Sequence, residues 1–331
     1  MLSKKENFMR IVNKELPEYV PVYSLGWSFN NPAVFREGRN PDGTGKDYFG
    51  VEWYMGEGIV PAALPKPGDF ILSDITKWRD VIKVPDFANS VDWAAMAKQA
   101  RDAWNPESPF GGGTAPSVGF FESLMSFMGF DEGLMACFEE PDEVKDLLNY
   151  LCDWSCDLAK LYIQHYQPDF GFMADDIAHE RNPFLSVEMF QDIFAPVWRR
   201  YYSVFLEAGL PVGMHNCGFF EPLIPDLVDM GCTFWDPVQS SNDIPRVKAQ
   251  FGTSIAMCTG YDMRFIPEDA SEEKVRSDFR EYLNRNAPGG AFAMFEYVPP
   301  NPNMPSMGTP LDAERRAWIN EEFEALRFSY Y

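Results

Sequence analysis

Histidine is almost missing from this chain: among 331 residues only His165, His179 and His215 occur. Chemistry that needs an imidazole must use one of these three. Basic residues are also short. The 28 Lys and Arg face 50 Asp and Glu, for a formal net charge of -22. Such a surface repels phosphate backbones and anionic lipid, which argues against nucleic-acid and membrane partners. No apolar run reaches the roughly 18 residues of a transmembrane helix. The opening Met1–Arg10 has no signal-peptide apolar stretch, so the expectation is a cytoplasmic protein. Cysteine is sparse, with 6 in the chain. That reads as reduced thiols, not a disulfide framework. Cys152 and Cys156, four apart in a helical segment, share a face that burial explains more cheaply than metal does.

Against that scarcity, His215 sits two residues from a cysteine, inside Pro211-Val-Gly-Met-His-Asn-Cys-Gly218. In extended backbone, residues i and i+2 face the same way. His215 and Cys217 therefore aim an imidazole and a thiolate at one point, and both are preferred zinc ligands.

The chain is long for one core but normal for a (β/α)8 barrel. The first 110 residues are irregular, with Pro, Gly and Trp punctuating short segments. Gly111-Gly-Gly-Thr114 is a turn rather than a phosphate loop, because no P-loop lysine follows. From there strands and helices alternate. Helices are expected over 120–130, 141–166, 220–230, 244–250, 271–285 and 311–327. A further helix opens at the cap residue Ser186. Strands are expected over 170–174, 212–214, 233–238, 254–258 and 291–295. The pattern predicts an α/β fold, a TIM barrel forming one domain over 1–331 with an irregular N-terminal extension. An open doubly wound sheet is the alternative.

Polar residues recur just past successive strands: Asp175, Asp176 and His179; His215 and Cys217; Asp236 and Gln239; Cys258, Tyr261 and Asp262; Glu296 and Tyr297. In a barrel these ends open on one face, where active sites lie. Each residue alone has a plain explanation, such as an Asp capping a helix or a buried Cys acting as a small hydrophobe. Capping does not call for Cys, His or Tyr at those places. Candidates for a third metal ligand are Glu296, Cys258, Asp236 and Gln239. Glu296 follows the apolar run Ala291–Phe295, where a buried carboxylate needs a partner and a cation is the simplest.

The phrase Val212–Gly218 is similar to the His-x-Cys-Gly motif of corrinoid-dependent methyltransferases in the uroporphyrinogen decarboxylase superfamily. Asp47-Tyr-Phe-Gly-Val-Glu-Trp53, Lys77-Trp-Arg-Asp80, Glu122–Gly129, Glu140–Val144, Gly260-Tyr-Asp262 and Ala287–Gly290 resemble other stretches of its members. Only the His-x-Cys phrase speaks to chemistry; the others mark the fold. The resemblance implies a barrel and a zinc site at His215, Cys217 and Glu296. Glu296 stands where thiol-activating relatives carry a second cysteine. One thiolate with oxygen ligands makes a harder site, which favours an oxygen substrate such as an aryl methyl ether. Asp175, Asp176, Tyr261 or Tyr297 would supply a proton. His179, Asp236, Gln239, Cys258 and Asp262 would line the substrate pocket. The cobalamin must come from a partner corrinoid protein, because the chain lacks the Asp-x-His-x-x-Gly phrase of a cobalamin module. The alternatives are transfer from methyl-corrinoid to a thiol or folate, a metal-free decarboxylase or lyase, and a non-catalytic docking protein.

Overall fold

The computed structural model describes residues 1–56, 63–116, 119–295 and 310–331. Short apolar runs become seven parallel strands: β1 (Val22–Tyr23), β2 (Gly111–Gly112), β3 (Phe170–Ala174), β4 (Val212–His215), β5 (Cys232–Asp236), β6 (Ala256–Thr259) and β7 (Phe292–Phe295). They are buried along nearly their whole length, as strands covered on both faces must be. Their order across the sheet is β1-β7-β6-β5-β4-β3-β2, and every pair is parallel. Helices fill each crossover from β2 onward, among them Pro141–Tyr166 before β3, Ala195–Glu207 before β4 and Glu272–Asn286 before β7.

The sheet curls as a TIM-barrel-like fold, with seven strands among the described residues where eight were expected. Between β1 and β2 a bridge stands in place of a strand. The Asn30 backbone N–H donates to Gly111 O at 3.0 Å, and its side-chain amide reaches the same oxygen at 3.2 Å. Asn31 Oδ1 accepts the Gly113 N–H at 2.9 Å. A 3-10 turn over Leu25–Trp27 and the following Pro32 keep this stretch from extending, so side-chain amides replace the ladder. The N-terminal region also carries a small antiparallel sheet, Gly45–Lys46, Glu52–Met55 and Ala63–Pro65, that the sequence reading did not foresee.

The barrel interior is aromatic. Phe234 of β5 meets Phe170 and Phe172 of β3, with ring centroids 5.0 and 5.8 Å apart. Phe8, from the helix Lys4–Val12, reaches Phe170, Phe234 and Tyr23 at 6.4, 5.7 and 5.4 Å. It is fully buried and closes the N-terminal end of the barrel. Gly213 on β4 makes room for these rings. A Cβ there would lie 2.1 Å from a Phe234 ring carbon. Gly213→Val is therefore expected to cost about 1–3 kcal/mol or more through overpacking. A urea midpoint equal to that of the wild type would contradict this.

One irregularity sets the register of the site. Val212 pairs with Cys232 but Gly213 pairs with Phe234, so Thr233 is the extra residue of a β-bulge. Beyond the bulge, His215 stands directly beside Asp236.

Candidate metal centre

His215 ends β4 at the open, C-terminal end of the barrel. Its Nδ1 lies 2.5 Å from Asp236 Oδ1. Asp236 is fully buried, and its other oxygen accepts the Tyr23 hydroxyl, which is 2.5 Å from Ser28 Oγ. A carboxylate only accepts, so Nδ1 carries a proton, and Nε2 is the nitrogen left to bind a metal ion in exchange for its own proton. That nitrogen is 3.8 Å from Cys217 Sγ.

Asp176, just past β3, completes a cluster. One ligand atom each from Asp176, His215 and Cys217 lie within 4.8 Å of one another, and all three residues are half-buried. Metal bonds of about 2.0–2.3 Å at tetrahedral angles separate nitrogen and sulfur donors by roughly 3.6 Å. The observed nitrogen–sulfur spacing fits a divalent cation of that kind. Burial opposes charge on His215, yet the Asp236 carboxylate carries it well above the usual histidine range. Burial pushes the Cys217 thiol up, and the neighbouring imidazole pulls the other way.

The loop that holds these groups is tied from several sides. The Cys217 N–H donates to Asp176 Oδ1 at 2.6 Å, and the Gly218 N–H donates to Gln239 Oε1 at 3.0 Å. Buried Asn216 spans the neighbouring strands. Its N–H donates to Asp236 O at 2.8 Å, and its side-chain amide donates to Asp175 O. Gly218 has φ +87°, and a Cβ there would meet Ala178 O at 2.6 Å, so the turn after Cys217 requires glycine.

Asp175 points away from this cluster. It is fully buried and accepts the N–H groups of Phe120, Phe121 and Glu122 at 2.9, 3.0 and 3.0 Å, together with the Trp198 indole at 3.0 Å. It is the N-terminal cap of the helix Phe120–Met128, whose own cap position, Gly119, has no side chain to offer. Burial pushes its carboxyl up to about 7, against four donors that favour the charged form. With its oxygens so engaged, the expected proton-supplying role is corrected to a capping one.

Sequence reasoning missed Glu122. Its Oε2 accepts the Asp176 N–H at 3.3 Å. Burial, then the charges of Asp176 and Asp175, hold its carboxyl well above the usual range. A signal was available: it is the one charged residue in Phe120–Met128. Phe29 was missed too. Its ring stands edge-on to His215 at 5.5 Å and to Phe172 at 5.3 Å, an aromatic wall beside the cluster.

The family model for uroporphyrinogen decarboxylase (URO-D) matches residues 44–295, from the small sheet through β7. The chain belongs to the uroporphyrinogen decarboxylase family. No curated protein matches it. Among solved structures, it is similar to a methyltransferase from Methanosarcina mazei, with 15% identity and a TM-score of 0.60 over 98% of this chain and 100% of that one. At that identity the likeness is one of fold.

Other residues singled out from the sequence take varied places in this URO-D family member. Gln239 braces the Gly218 turn. Cys258 is fully buried beside Asp236, and burial with that carboxylate keeps its thiol protonated. The expected substrate contacts of Cys258 and Asp236 are corrected accordingly, since neither has exposed surface to offer. Asp262 is held by Ser240 and Arg264 at 2.7 Å each. Tyr261 packs against Phe279 and Tyr282 of the helix Glu272–Asn286. His179 is exposed, 6.3 Å from the Phe184 ring. Glu296 and Tyr297 lie outside the described residues. Asp236→Asn is expected to weaken zinc binding about 10–100-fold, because the neutral amide no longer fixes the His215 tautomer. A chelator-competition titration checks this; unchanged affinity would count against the orienting role.

Proposed function

We propose that the chain is a metal-dependent methyltransferase. It takes a methyl group from a methoxylated aromatic compound and delivers it to cobalamin on a separate corrinoid protein. The observation that supports this reading is the donor set at the open end of a URO-D-family barrel. One carboxylate, one imidazole and one thiolate converge there, and a buried acid orients the imidazole. Asp176, His215 and Cys217 would hold zinc, and Glu296, next after β7, is a further oxygen candidate. When bound, such an ion supplies Lewis acidity toward an ether oxygen. A single sulfur among the donors suits an oxygen substrate better than a thiol. A methyltransferase among solved structures of this fold agrees with the class.

The chain's own residues do the positioning. Tyr23 and Asp236 hold the imidazole with Nε2 outward. Phe29, partly exposed beside His215 and backed edge-on by buried Phe172, offers an apolar ring against which an aromatic substrate can pack. The tyrosines that follow β6 and β7 in the chain, Tyr261 and Tyr297, are the groups proposed to supply a proton to the leaving phenolate.

The test is incubation of zinc-loaded protein with free cob(I)alamin and a set of methoxylated benzoates, benzyl alcohols and anisoles. Conversion to methylcobalamin is followed by absorbance. Protein with one equivalent of zinc that methylates cob(I)alamin from none of these ethers would overturn the reading.

A further inference from the structure

Of the 6 cysteines, Cys137, Cys152, Cys232 and Cys258 are buried. Cys217 is half-buried and belongs to the metal centre. Cys156 is half-buried too, and it has a sulfur partner. Its Sγ lies 3.7 Å from Cys152 Sγ, one turn earlier on the helix Pro141–Tyr166. Core packing accounts for Cys152, which has no exposed surface and whose Sγ lies 3.4 Å from Val197 O. It does not account for a second sulfur at the edge of that core, beside the first and close to cations.

The surroundings of Cys156 favour its thiolate. A hydrogen bond from the Cys152 thiol draws it below its ordinary range, against burial, and the charges of Arg200 and Lys160 help. Both cations also face acids: Arg200 pairs with Asp153, whose charge opposes the thiolate, and Lys160 with Asp157 at 2.9 Å. The core thiols go the other way, burial pushing Cys137 and Cys232 up to about 12 each. The thiolate is the form that attacks a peroxide. The backbone also suits a bridge. Helix geometry sets Cα atoms four apart at about 6.2 Å, inside the disulfide range of about 4.4–6.8 Å. Their Cβ atoms, about 5–6 Å apart on a regular helix, must close to about 4.5 Å or less. The turn has to tighten for that, so the bond is strained and easily reduced again.

We propose that Cys152 and Cys156 form a peroxide-sensitive dithiol, with Cys156 the attacking thiol and Cys152 the resolving one. The Cys156 thiolate attacks one oxygen of a hydroperoxide, the O–O bond breaks, and hydroxide or alkoxide leaves. Sulfur is oxidised to a sulfenic acid and the peroxide is reduced. The Cys152 thiol then attacks that sulfur, the S–O bond breaks, and water leaves with the thiol proton as the disulfide forms. A dithiol reductant returns the pair to its starting form by exchange. The pair lies between the helices Pro141–Tyr166 and Ala195–Glu207 and needs no methyl transfer to work.

The test follows one peptide. Trypsin releases Asp146–Lys160, which carries Cys152 and Cys156 and no other cysteine. The intact protein is treated with hydrogen peroxide, blocked with N-ethylmaleimide and digested for mass spectrometry. The peptide is expected to lose two hydrogens and take no maleimide, and dithiothreitol before blocking is expected to restore both labels. Its oxidation is expected to run roughly tenfold or more faster than that of buried Cys137 and Cys232. In Cys152→Ser the reaction should stop at a sulfenic acid on Cys156, trapped by dimedone. Cys156→Ser changes a half-buried position, which keeps it clear of folding effects, and should leave Cys152 reduced. A wild-type peptide that takes both labels after peroxide, or one that holds a sulfenic acid without closing the disulfide, would overturn the proposal. So would a dimedone adduct at Cys152 in Cys156→Ser.

Discussion

Cys217→Ser is expected to lower zinc affinity on the order of 100-fold or more and to remove methyl transfer with it. The thiolate is the one soft ligand in the cluster, and a serine hydroxyl stays neutral near pH 7 and coordinates weakly. The loop should survive the change. Cys217 is half-buried, and it is its backbone N–H, not its sulfur, that ties the turn to Asp176. Loss of a group that only orients a ligand costs about 10–100-fold, so loss of a ligand should exceed that. Elemental analysis after dialysis against a zinc buffer gives the answer. A serine variant that keeps one full equivalent would remove Cys217 from the site. It would return the search to Asp176, His215 and Glu296.

The second large effect concerns stability. Asp175→Ala strips the partner from three backbone N–H groups and one indole N–H, all deep in the protein. Each buried donor left without an acceptor costs about 1–3 kcal/mol, partly relieved by relaxation. A total of about 3–5 kcal/mol is expected, a large share of a typical folding free energy. Asp175→Asn keeps one acceptor oxygen and should lose less. Urea unfolding followed by circular dichroism measures both. A loss under 1 kcal/mol for alanine would show that the cap matters little.

The strand-end grouping was legible because alternation and ligand chemistry are local properties. Val212–Cys217 announces a short strand followed by two metal-type side chains, and the fold delivers both at one end of β4. What stayed hidden depends on pairing between distant segments. Asp175 and Asp176 are adjacent and chemically identical, yet one caps a helix some 50 residues earlier and the other faces the histidine. Nothing in the dipeptide tells which. Asp236 reads as any acid after a strand. Its place beside His215 depends on the bulge at Thr233; regular pairing onward from Val212 and Cys232 would set Trp235 there instead. Glu122 is ambiguous in the sequence, because solvent and a polar site ask for the same residue. Tyr23, 213 residues from the aspartate it serves, had no local signature at all. Glu296 and Tyr297, on which much of the sequence argument leaned, fall outside the described residues.

Phe8 gives the N-terminal helix a role that its position in the chain conceals. It is the cork of the barrel. Removing residues 1–12 would not trim a tail but leave Phe170, Phe234 and Tyr23 facing a hole. Water could then enter from below and reach the floor of a pocket that must stay dry for its charges to act strongly. A reporter or affinity handle fused at the C-terminal end leaves that cork in place.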